Sequence, residues 1–543
     1  MSVQDAGAVE LLPERSVFGP DDGVGIEVRG AAAPGRLTVW RLGELVAEQE
    51  HSGAGMVRLG TLPEGGYGIE YESAGGTART AVEVAADRRR RLRYGFVVDY
   101  APGRDVAPIA DAVRRLHLTG VQFYDWAYRH AELLGGGEEY EDALGQPVSL
   151  ATVRALVRAV QAAGAGAIGY AAVYGVGNEE WPEWRHRALL TAEGEAYGLG
   201  DFLHLVDPAS EDWLAHFTGQ LRDAVSRLGF DGFHLDQYGY PKRARRADGR
   251  IVDLAESFVR TIEGVRTALP AAQLVFNNVN DFPTWATAPA AQDAVYIEVW
   301  PPHVTLGSLA RVVDRARSVA GGKPVVVAAY QSVYDRAPAA SADLATAFTM
   351  ATLYSHGATQ LLAGEADRIL VDPYYVRNHA AEGSTAGMLR RWYDFLVEHD
   401  ELLLDPEIVD VTGAFAGEYN GDCDTAFAGV AVTETPAAGA VWRRIVRTRH
   451  GLVVHLINLV GQGDTLWDEA REPVGDAGAG TLRIRRIGGR MPRIRVADPD
   501  GAGRLLEVEV RRDGEHAVAE LPRLGLWQLV LIDDGPADRG IDD

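Results

Sequence analysis

The chain has 543 residues, which is more than one domain usually holds and enough for a large core with accessory modules. Its 53 Lys and Arg residues stand against 77 Asp and Glu residues, which gives a formal net charge of -24. This charge argues against nucleic acid or an anionic membrane as a partner and favours a neutral or cationic ligand. A single cysteine, Cys423, excludes an internal disulfide framework and a thiolate metal cluster.

The N-terminal sequence MSVQDAGAVELLPER lacks the basic start and apolar run of a secretory signal. Nowhere do about 18 apolar residues follow one another, so no membrane span is expected. The sequence as it stands therefore predicts a cytoplasmic protein, or a secreted one if a leader has been removed. It does not indicate an oligomeric state.

Residues 1–87 show short strand patterns separated by turn signals. The strands are GIEVRG, GRLTVWRL and GYGIEYES, and clusters such as Pro-Gly and Glu-Gly-Gly lie between them. This pattern predicts a small β-sandwich. The basic run Arg88 to Arg91 follows; we interpret it as a solvated linker in preference to a nucleic-acid contact, because the chain is so acidic.

Residues 88–403 alternate between short apolar runs and helical stretches, which is typical of βα units with a parallel sheet. Eight apolar runs are present: 94–100, 120–126, 167–173, 230–236, 274–279, 295–300, 325–330 and 359–364. The predicted helices are 106–116, 150–163, 213–228, 254–269, 306–319, 344–354 and 384–398, with at most a stunted one in 280–294. Eight such units predict an α/β fold of the (β/α)8 TIM barrel class. A doubly wound sheet is the alternative, but no Gly-rich phosphate loop follows the first strand.

Residues 404–534 return to an alternating β pattern, as in LVVHLINL and LGLWQLVLI, and predict a C-terminal β-sandwich. Residues 535–543 are acidic, and we expect them to be disordered.

Two carboxylates end apolar strands of the predicted barrel, namely Asp236 in FDGFHLDQYGY and Glu298 in VYIEVWP. In a TIM barrel the loops after the strands build the active site, so acids at these positions favour catalysis over a solvated surface role. Cleavage of a glycosidic bond needs one carboxyl that protonates the leaving oxygen and another that attacks C1 or activates water. We therefore predict Asp236 and Glu298 as the catalytic pair, with a raised pKa for Glu298.

Other residues at the strand ends are suited to holding a sugar. Asp125 either contacts sugar hydroxyls or forms a rim salt bridge with Arg129, and His234 is either a core-filling histidine or a hydrogen-bonding neighbour of Asp236. The rim is also unusually aromatic, and the loops 175–208 and 365–381 are expected to wall a cleft. The predicted substrate-binding residues are Asp125, Tyr124, Trp126, Tyr128, Tyr170, Tyr174, His234, Gln237, Tyr238, Asn278, Trp300, Tyr330, Glu365 and Tyr374.

A catalytic metal or other cofactor is not expected. His204, Asp207, His234 and Asp236 are of ligand type, but they lack the spacing of known metal motifs. A GxSxG elbow for a nucleophilic serine does not occur in the sequence.

Four segments, QFYDWAYRH, FDGFHLDQYG, VYIEVWP and the AGE…PYY stretch of residues 363–375, resemble those of glycoside hydrolase family 66. This family contains dextranases and cycloisomaltooligosaccharide glucanotransferases. The resemblance implies an immunoglobulin-like module, a barrel and a C-terminal β module in that order. It also implies that Asp236 is the nucleophile and Glu298 the general acid/base, that Asp125 supports activity, and that the reaction is retaining cleavage of α-1,6-glucosidic linkages.

The resemblance also helps to choose between hydrolysis of the glucan and transfer of the glucosyl group to another sugar. Cyclising members of the family carry a carbohydrate-binding module after strand seven, whereas only residues 331–340 lie between that strand and the next helix here. Hydrolysis of dextran or isomalto-oligosaccharides is therefore the expected activity. The alternatives are a cyclising or disproportionating glucanotransferase and a barrel that binds glycans without cleaving them.

Overall fold

Eight parallel strands form the central sheet. They are β1 (Tyr94–Val97), β2 (Gly120–Phe123), β3 (Gly166–Ala172), β4 (Gly232–Asp236), β5 (Gln273–Val279), β6 (Ala294–Glu298), β7 (Val325–Ala328) and β8 (Ala358–Gln360). Each strand pairs with the next along the chain, and the strands are buried on both faces, as the continuous apolar runs predicted. The (β/α)8 barrel is confirmed. The computed structural model describes residues 9–30, 33–417, 419–486 and 490–534, so the tail 535–543 lies outside the described residues.

Helices connect the strands on the outside of the sheet. They are α1 (Ala107–Arg115), α2 (Leu150–Ala162), α3 (Glu211–Leu228), α4 (Leu254–Ala268), α5 (Thr284–Thr287), α6 (Leu306–Ala320), α7 (Ala339–Ser355) and α8 (Gly383–Glu398). Local sequence sets their ends. The Thr305 side chain accepts from the Ser308 backbone N–H while the Ser308 hydroxyl accepts from the Thr305 N–H, a capping box that starts α6. Gly229, at a φ of 82°, ends α3.

The sheet closes between β1 and β8 through side chains and a glycine. The Thr359 hydroxyl donates to the Leu92 carbonyl over 2.6 Å. Gly364 follows at a φ of 142°, and a Cβ there would lie 2.6 Å from the backbone of Phe96, so only glycine permits this approach. Beside it, the Glu365 carboxylate accepts the backbone N–H of Val98 over 2.8 Å.

The loops at the C-terminal end of the barrel contain short strands and helical turns. The longest loop, after β3, forms the strands Gly175–Gly177, Leu189–Leu190, Gly198–Leu199 and Leu203–Leu205 with the helical turns Trp181–Trp184 and Arg185–Arg187. Strands Glu139–Glu141 and Pro147–Ser149 follow β2, strands Arg243–Arg246 and Ile251–Asp253 follow β4, and a 3-10 turn, Ser332–Asp335, follows β7. After β8 lie Ala363–Gly364, Ala366–Ile369 and His379–Ala380.

The N-terminal module is a sandwich of two antiparallel sheets, as predicted. One sheet contains Glu10–Pro13, Gly25–Arg29 and Gly55–Arg58, and the other Gly35–Arg41, Glu44–His51, Gly65–Ser73 and Gly76–Val84. Their apolar inner faces form one core. The module rests on α8, where Asp394 accepts hydrogen bonds from Ala81 N–H (3.1 Å) and the Thr80 hydroxyl (3.2 Å).

The interpretation of Arg88 to Arg91 as a solvated linker is wrong. Arg88–Arg90 form a 3-10 turn in which Arg88 pairs with Asp231 over 3.1 Å and Arg89 with Asp293 over 3.7 Å. Arg91 pairs with Asp400. The basic run therefore joins the N-terminal module to the barrel, because acidic side chains of the barrel supply its partners.

The C-terminal module contains two further sheets, antiparallel except where Val432–Thr433 pairs in parallel with Val441–Thr448, which confirms the second predicted sandwich. The larger comprises Val409–Asp410, Val432–Thr433, Val441–Thr448, Gly451–Asn458, Pro492–Ala497, Leu506–Glu507 and Trp527–Asp534. The smaller comprises Cys423–Phe427, Ala479–Arg485, Val510–Asp513 and His516–Arg523. The fully buried Trp527 packs against Phe395 (ring centroids 5.1 Å apart) and Trp392 (5.8 Å) of α8, so this module is docked on the barrel through aromatic contacts.

None of the helices in the described ranges is both long and apolar enough to cross a bilayer.

Candidate active site

Asp236 and Glu298 meet at the C-terminal end of the barrel. Asp236 ends β4 and Glu298 ends β6, with β5 between them. The Asn277 side-chain nitrogen on β5 donates to Asp236 Oδ1 over 2.7 Å and to Glu298 Oε2 over 2.8 Å. Because the two bonds share one nitrogen, their lengths add to 5.5 Å, which is the greatest distance that these two oxygens can have.

Burial changes the charge state of the pair. Desolvation raises the pKa of Asp236 to about 6, against the lowering effect of hydrogen bonds from Asn277 and Tyr170. Desolvation together with the nearby charge of Asp236 raises the pKa of Glu298 to about 7. The raised pKa predicted for Glu298 is confirmed, and Asp236 ionises before Glu298 as the pH increases.

Three more donors fix the orientation of the carboxylates. The Tyr170 hydroxyl donates to Asp236 Oδ2 over 2.8 Å. Trp300 Nε1 and the Tyr330 hydroxyl both donate to Glu298 Oε1, each over 3.1 Å. Glu298 therefore presents one oxygen toward Asp236 and the other toward Trp300.

The carboxylates border a cavity of about 260 Å³. Most of the predicted site residues line this cavity. The fold thus brings together side chains that are distant in sequence but lie at strand ends. The predicted residues that line it are Tyr124, Asp125, Tyr170, His234, Asp236, Gln237, Tyr238, Glu298, Trp300, Tyr330 and Tyr374.

Asp125 lies on the cavity wall with a left-handed backbone at a φ of 44°. Desolvation raises its pKa to about 8, and the charges of Asp142 and Asp236 act in the same direction. Arg129, considered from sequence as its ion-pair partner, pairs with Glu179 over 3.5 Å. Asp125 is thus a neutral carboxylic acid at neutral pH, able to donate one hydrogen bond and accept others.

His234 forms part of the floor beneath the carboxylates. Its ring lies between those of Tyr94 (centroids 6.0 Å apart) and Tyr170 (6.2 Å) and meets the edge of Tyr296 at 4.7 Å. Burial lowers its pKa to about 3, so the imidazole is neutral. His234 fills a core layer and borders the cavity, and its ring nitrogen lies 3.4 Å from the Tyr94 hydroxyl. Of the two alternatives left open by the sequence, the structure supports the core-filling histidine.

Two predicted aromatic contacts lie in the barrel wall, away from the cavity lining. Trp126 is fully buried and donates from Nε1 to the Tyr170 carbonyl over 3.1 Å. Tyr174 donates to the Tyr240 carbonyl over 2.7 Å and accepts the Tyr238 N–H over 2.9 Å. Both side chains therefore support neighbours that line the cavity.

Three other predicted contacts also lie elsewhere. Tyr128 packs edge-on against Tyr140. Asn278 points out of the barrel, where its amide donates to the Tyr296 carbonyl over 2.9 Å. Glu365 lies at the β1–β8 seam and pairs with Arg104. These three residues lie near strand ends, but closeness to a strand end does not decide where a side chain points. Alternation along the strand and burial direct them into the wall and the seam.

The family model described as glycosyl hydrolase family 66 matches residues 62–531, which is most of the chain and includes all of the barrel. The chain belongs to glycosyl hydrolase family 66. The resemblance read from the four segments is confirmed, and the family 66 match extends from within the N-terminal module into the last strand, Trp527–Asp534.

Individual family 66 relatives are distant. A cycloisomaltooligosaccharide glucanotransferase of Niallia circulans is 27% identical over 296 residues, which cover 49% of this chain and 31% of that protein. A dextranase of Streptococcus salivarius is 28% identical over 156 residues, covering 25% of this chain and 19% of that protein. The matches thus span about a third or less of these curated relatives.

A solved structure shares the whole architecture. It is the cycloisomaltooligosaccharide glucanotransferase of a Paenibacillus species complexed with cycloisomaltoheptaose. The TM-score is 0.85 at 18% identity, and the alignment covers 96% of this chain and 100% of that one. At this identity the likeness shows a common fold.

The family 66 site also contains residues that the sequence reading missed. Asn277 is not among the predicted residues, whereas its neighbour Asn278 is. Asn277 pairs in register with Tyr296, whose side chain also lines the cavity, so the two share one face of the sheet. Tyr375 stacks on Tyr124 with centroids 4.1 Å apart, and it was part of the PYY segment. The remaining lining residues that had not been predicted include Gln122, His130, Leu144, Leu199, Phe202, Leu203, Val279, Tyr296 and Pro373.

Two neighbouring carboxyls with raised pKa values are chemically suited to proton transfer and nucleophilic attack. One carboxylate is ionised at neutral pH while the other retains its proton for longer, and both are held by fixed donors. Within the described ranges no three His, Cys, Asp or Glu side chains are grouped to hold a metal ion.

Proposed function

We propose that this protein is a retaining glycoside hydrolase that cleaves α-1,6-glucosidic linkages in dextran or isomalto-oligosaccharides. The observation that carries the proposal is the Asn277 amide, which holds one oxygen of each carboxyl, Asp236 Oδ1 and Glu298 Oε2, no more than 5.5 Å apart. Retaining enzymes place their carboxyls about 5–5.5 Å apart, whereas inverting enzymes need about 6.5–9.5 Å to admit a water molecule. The linkage rests on family membership and on the relatives' names.

In the first step an Asp236 oxygen attacks C1 and the bond from C1 to the glycosidic oxygen breaks. Glu298 gives its proton to that oxygen, so the leaving sugar departs as a neutral alcohol. The product is a glucosyl ester on Asp236 and an ionised Glu298. The order of the two pKa values supports this step, because the free enzyme begins with Asp236 ionised and Glu298 protonated.

In the second step a water molecule enters beside Glu298. The Glu298 carboxylate takes one proton from it, and its oxygen attacks C1 while the bond from C1 to Asp236 breaks. Glucan with a retained anomeric configuration leaves, and both carboxyls return to their starting states. The hydrogen bonds from Trp300 and Tyr330 keep Glu298 in place throughout.

The side chains that line the cavity suit an uncharged sugar ring. Tyr124 and Tyr375 form a stacked aromatic wall, and the neutral Asp125 offers both a donor and an acceptor to hydroxyl groups. Tyr238 also lines the cavity and stacks on Tyr174 with ring centroids 5.3 Å apart.

Hydrolysis is favoured over transfer by the short link after β7, because only residues 329–338 separate Val325–Ala328 from Ala339–Ser355. The second candidate is cyclisation or disproportionation of α-1,6-glucan, which is favoured by the glucanotransferase relatives. The two differ in what accepts the glucosyl group, water or another sugar hydroxyl.

Product analysis on dextran, isomaltotetraose and a cyclic isomalto-oligosaccharide tests the proposal. Linear, shorter products that are first released as α-anomers support retaining hydrolysis, and cyclic or lengthened products support transfer. Asp236→Ala and Glu298→Ala should each abolish turnover, while Glu256→Ala, at an exposed side chain on α4, serves as the control. Wild-type protein that cleaves none of the three substrates would refute the proposal; binding without cleavage would instead support a glycan-binding barrel.

A further inference from the structure

A second cavity of about 570 Å³ adjoins the active site. Trp300, Tyr330 and Pro373 line both cavities, so the two are neighbours that share these side chains. Of the three, Trp300 and Tyr330 donate hydrogen bonds to Glu298. Its far wall is a loop of the C-terminal module, Leu466 to Glu469. The volume lies within the range of about 300–1,000 Å³ that is usual for small-molecule sites.

Barrel loops hold this C-terminal loop in place. Trp467 donates from Nε1 to the His303 carbonyl over 2.7 Å and from its backbone N–H to the Val304 carbonyl over 3.1 Å. Asp468 accepts the Val333 N–H over 2.9 Å. The loop is therefore fixed against the connections after both β6 and β7, so the cavity exists before a ligand enters.

The chemistry of the lining favours an uncharged polyhydroxyl ligand. Its polar side chains include Asp372, Asp468 and Glu469, and no Lys or Arg is among the described residues that line it. Asp468 and Glu469 each pair with Arg336 over 3.2 Å, and Asp372 lies 3.7 Å from Arg377, so three carboxylates face two guanidinium groups. This excess of acceptors suits sugar hydroxyls and disfavours phosphates or acidic sugars. Trp300 is 37% exposed and Val304 is 39% exposed, which supplies apolar surface for the face of a glucose ring.

The position of the cavity determines which part of a glucan would enter it. C1 of the cleaved unit must lie beside Asp236, and the leaving oxygen beside Glu298. Glu298 turns Oε2 toward the Asp236 side and Oε1 toward Trp300. A chain that continues beyond the leaving oxygen therefore passes Glu298 toward Trp300 and the second cavity.

We propose that this second cavity binds the glucose units on the leaving-group side of the substrate and that the C-terminal module supplies one wall of this binding site. The inference rests on the proposed function, because it places α-1,6-glucan in the neighbouring site. It assigns the C-terminal module a direct role in substrate selection. Binding energy gained there is available to raise the rate of the chemical step on long substrates.

The test compares two substrates. Isomaltohexaose reaches the second cavity, whereas α-isomaltosyl fluoride has a fluoride leaving group and leaves the cavity empty. We expect Val304→Trp, which fills the cavity, to lower kcat/KM on isomaltohexaose about tenfold and to change that on the fluoride by less than about twofold. Glu469→Ala, at a half-exposed side chain that pairs with Arg336, should give a smaller loss in the same direction.

Val46→Trp is the matched control, because Val46 is 47% exposed on the N-terminal sheet. It should leave both substrates unaffected. Equal losses on the two substrates in Val304→Trp would indicate a distorted active site and would overturn the inference. The inference would also be overturned if neither Val304→Trp nor Glu469→Ala changed kcat/KM on isomaltohexaose.

Wild-type protein that cleaves neither substrate would refute the proposed function and not, by itself, the second site. Calorimetric binding of isomaltohexaose then decides. Weaker binding by Val304→Trp than by Val46→Trp would support a glycan site in the cavity, and equal binding, or none in wild type, would overturn it.

Discussion

Asn277 and Asn278 are adjacent on β5, yet their side chains lie on opposite faces of the strand. The Asn277 amide donates hydrogen bonds to both Asp236 and Glu298. The Asn278 amide bonds to the Tyr296 carbonyl and its oxygen accepts the Thr287 hydroxyl, both within the barrel wall. The two residues are thus a natural matched pair for separating a role in the site from a role in stability.

We expect Asn277→Ala to lower kcat/KM about 100-fold, as loss of a fixed donor does in other active sites. Asn277 lowers the pKa of both Asp236 and Glu298, so its removal should raise both pKa values and move the pH optimum upward. Asn278→Ala should instead lower the free energy of unfolding by about 1–3 kcal/mol without moving the optimum. Identical pH profiles in the two variants would contradict this assignment.

The pH dependence of kcat/KM should be a narrow bell. Activity requires an ionised Asp236, so it rises with pH through the pKa of about 6. It also requires a protonated Glu298, so it falls through the pKa of about 7. In Glu298→Gln, assayed with α-isomaltosyl fluoride, which needs no proton donor, the alkaline limb should disappear while the acid limb remains. An alkaline limb that persists in this variant would assign it to another group.

Tyr330→Phe should shift the alkaline limb alone. The Tyr330 hydroxyl donates to Glu298 Oε1 and stabilises the ionised form, so its loss should raise the Glu298 pKa and extend activity to higher pH. The control is Tyr334→Phe in the neighbouring turn, where the hydroxyl donates to Asp343 over 2.9 Å. Movement of the acid limb in Tyr330→Phe would argue against a specific effect on Glu298.

Asp125→Asn should change how stability depends on pH. The pKa of Asp125 is about 8 in the folded protein and about 3.9 in an unfolded chain, so between these values only the unfolded state ionises. Wild-type stability from this group is present below pH 4 and is lost as the pH rises toward 8. The variant lacks that loss, so its free energy of unfolding relative to wild type should increase from pH 5 to pH 8. Urea titrations at several pH values measure this, and a constant difference would contradict it.

Glu365→Gln tests the seam against the substrate role predicted from sequence. The carboxylate is 6% exposed, accepts the Val98 N–H and pairs with Arg104. We expect the free energy of unfolding to fall by about 3 kcal/mol with little change in KM. Tyr374→Ala, at a residue that lines the cavity, should instead raise KM and leave the free energy of unfolding nearly unchanged. A raised KM in Glu365→Gln, with stability unchanged, would restore the substrate role.

The sequence was sufficient where one physical rule dominated. Parallel strands buried on both faces must be continuously apolar, and short apolar runs at regular intervals therefore located all eight strands. The ends of these runs located Asp236 and Glu298, because strand ends in a barrel converge. The same rule placed Trp126 and Tyr174 in the cleft incorrectly. Beyond a strand end the chain turns, so alternation no longer tells which side chains face inward.

By itself, the sequence determined the order of the three modules, the barrel and the two carboxylates, since these depend on hydrophobic pattern and on position along the chain. Only the tertiary structure decided that Asn277 bridges the carboxylates, that Glu365 closes the seam and that a loop of the C-terminal module borders a second cavity. Each of these depends on distances between segments that are remote in sequence. Side-chain direction and module docking set those distances, and neither has a local sequence signal.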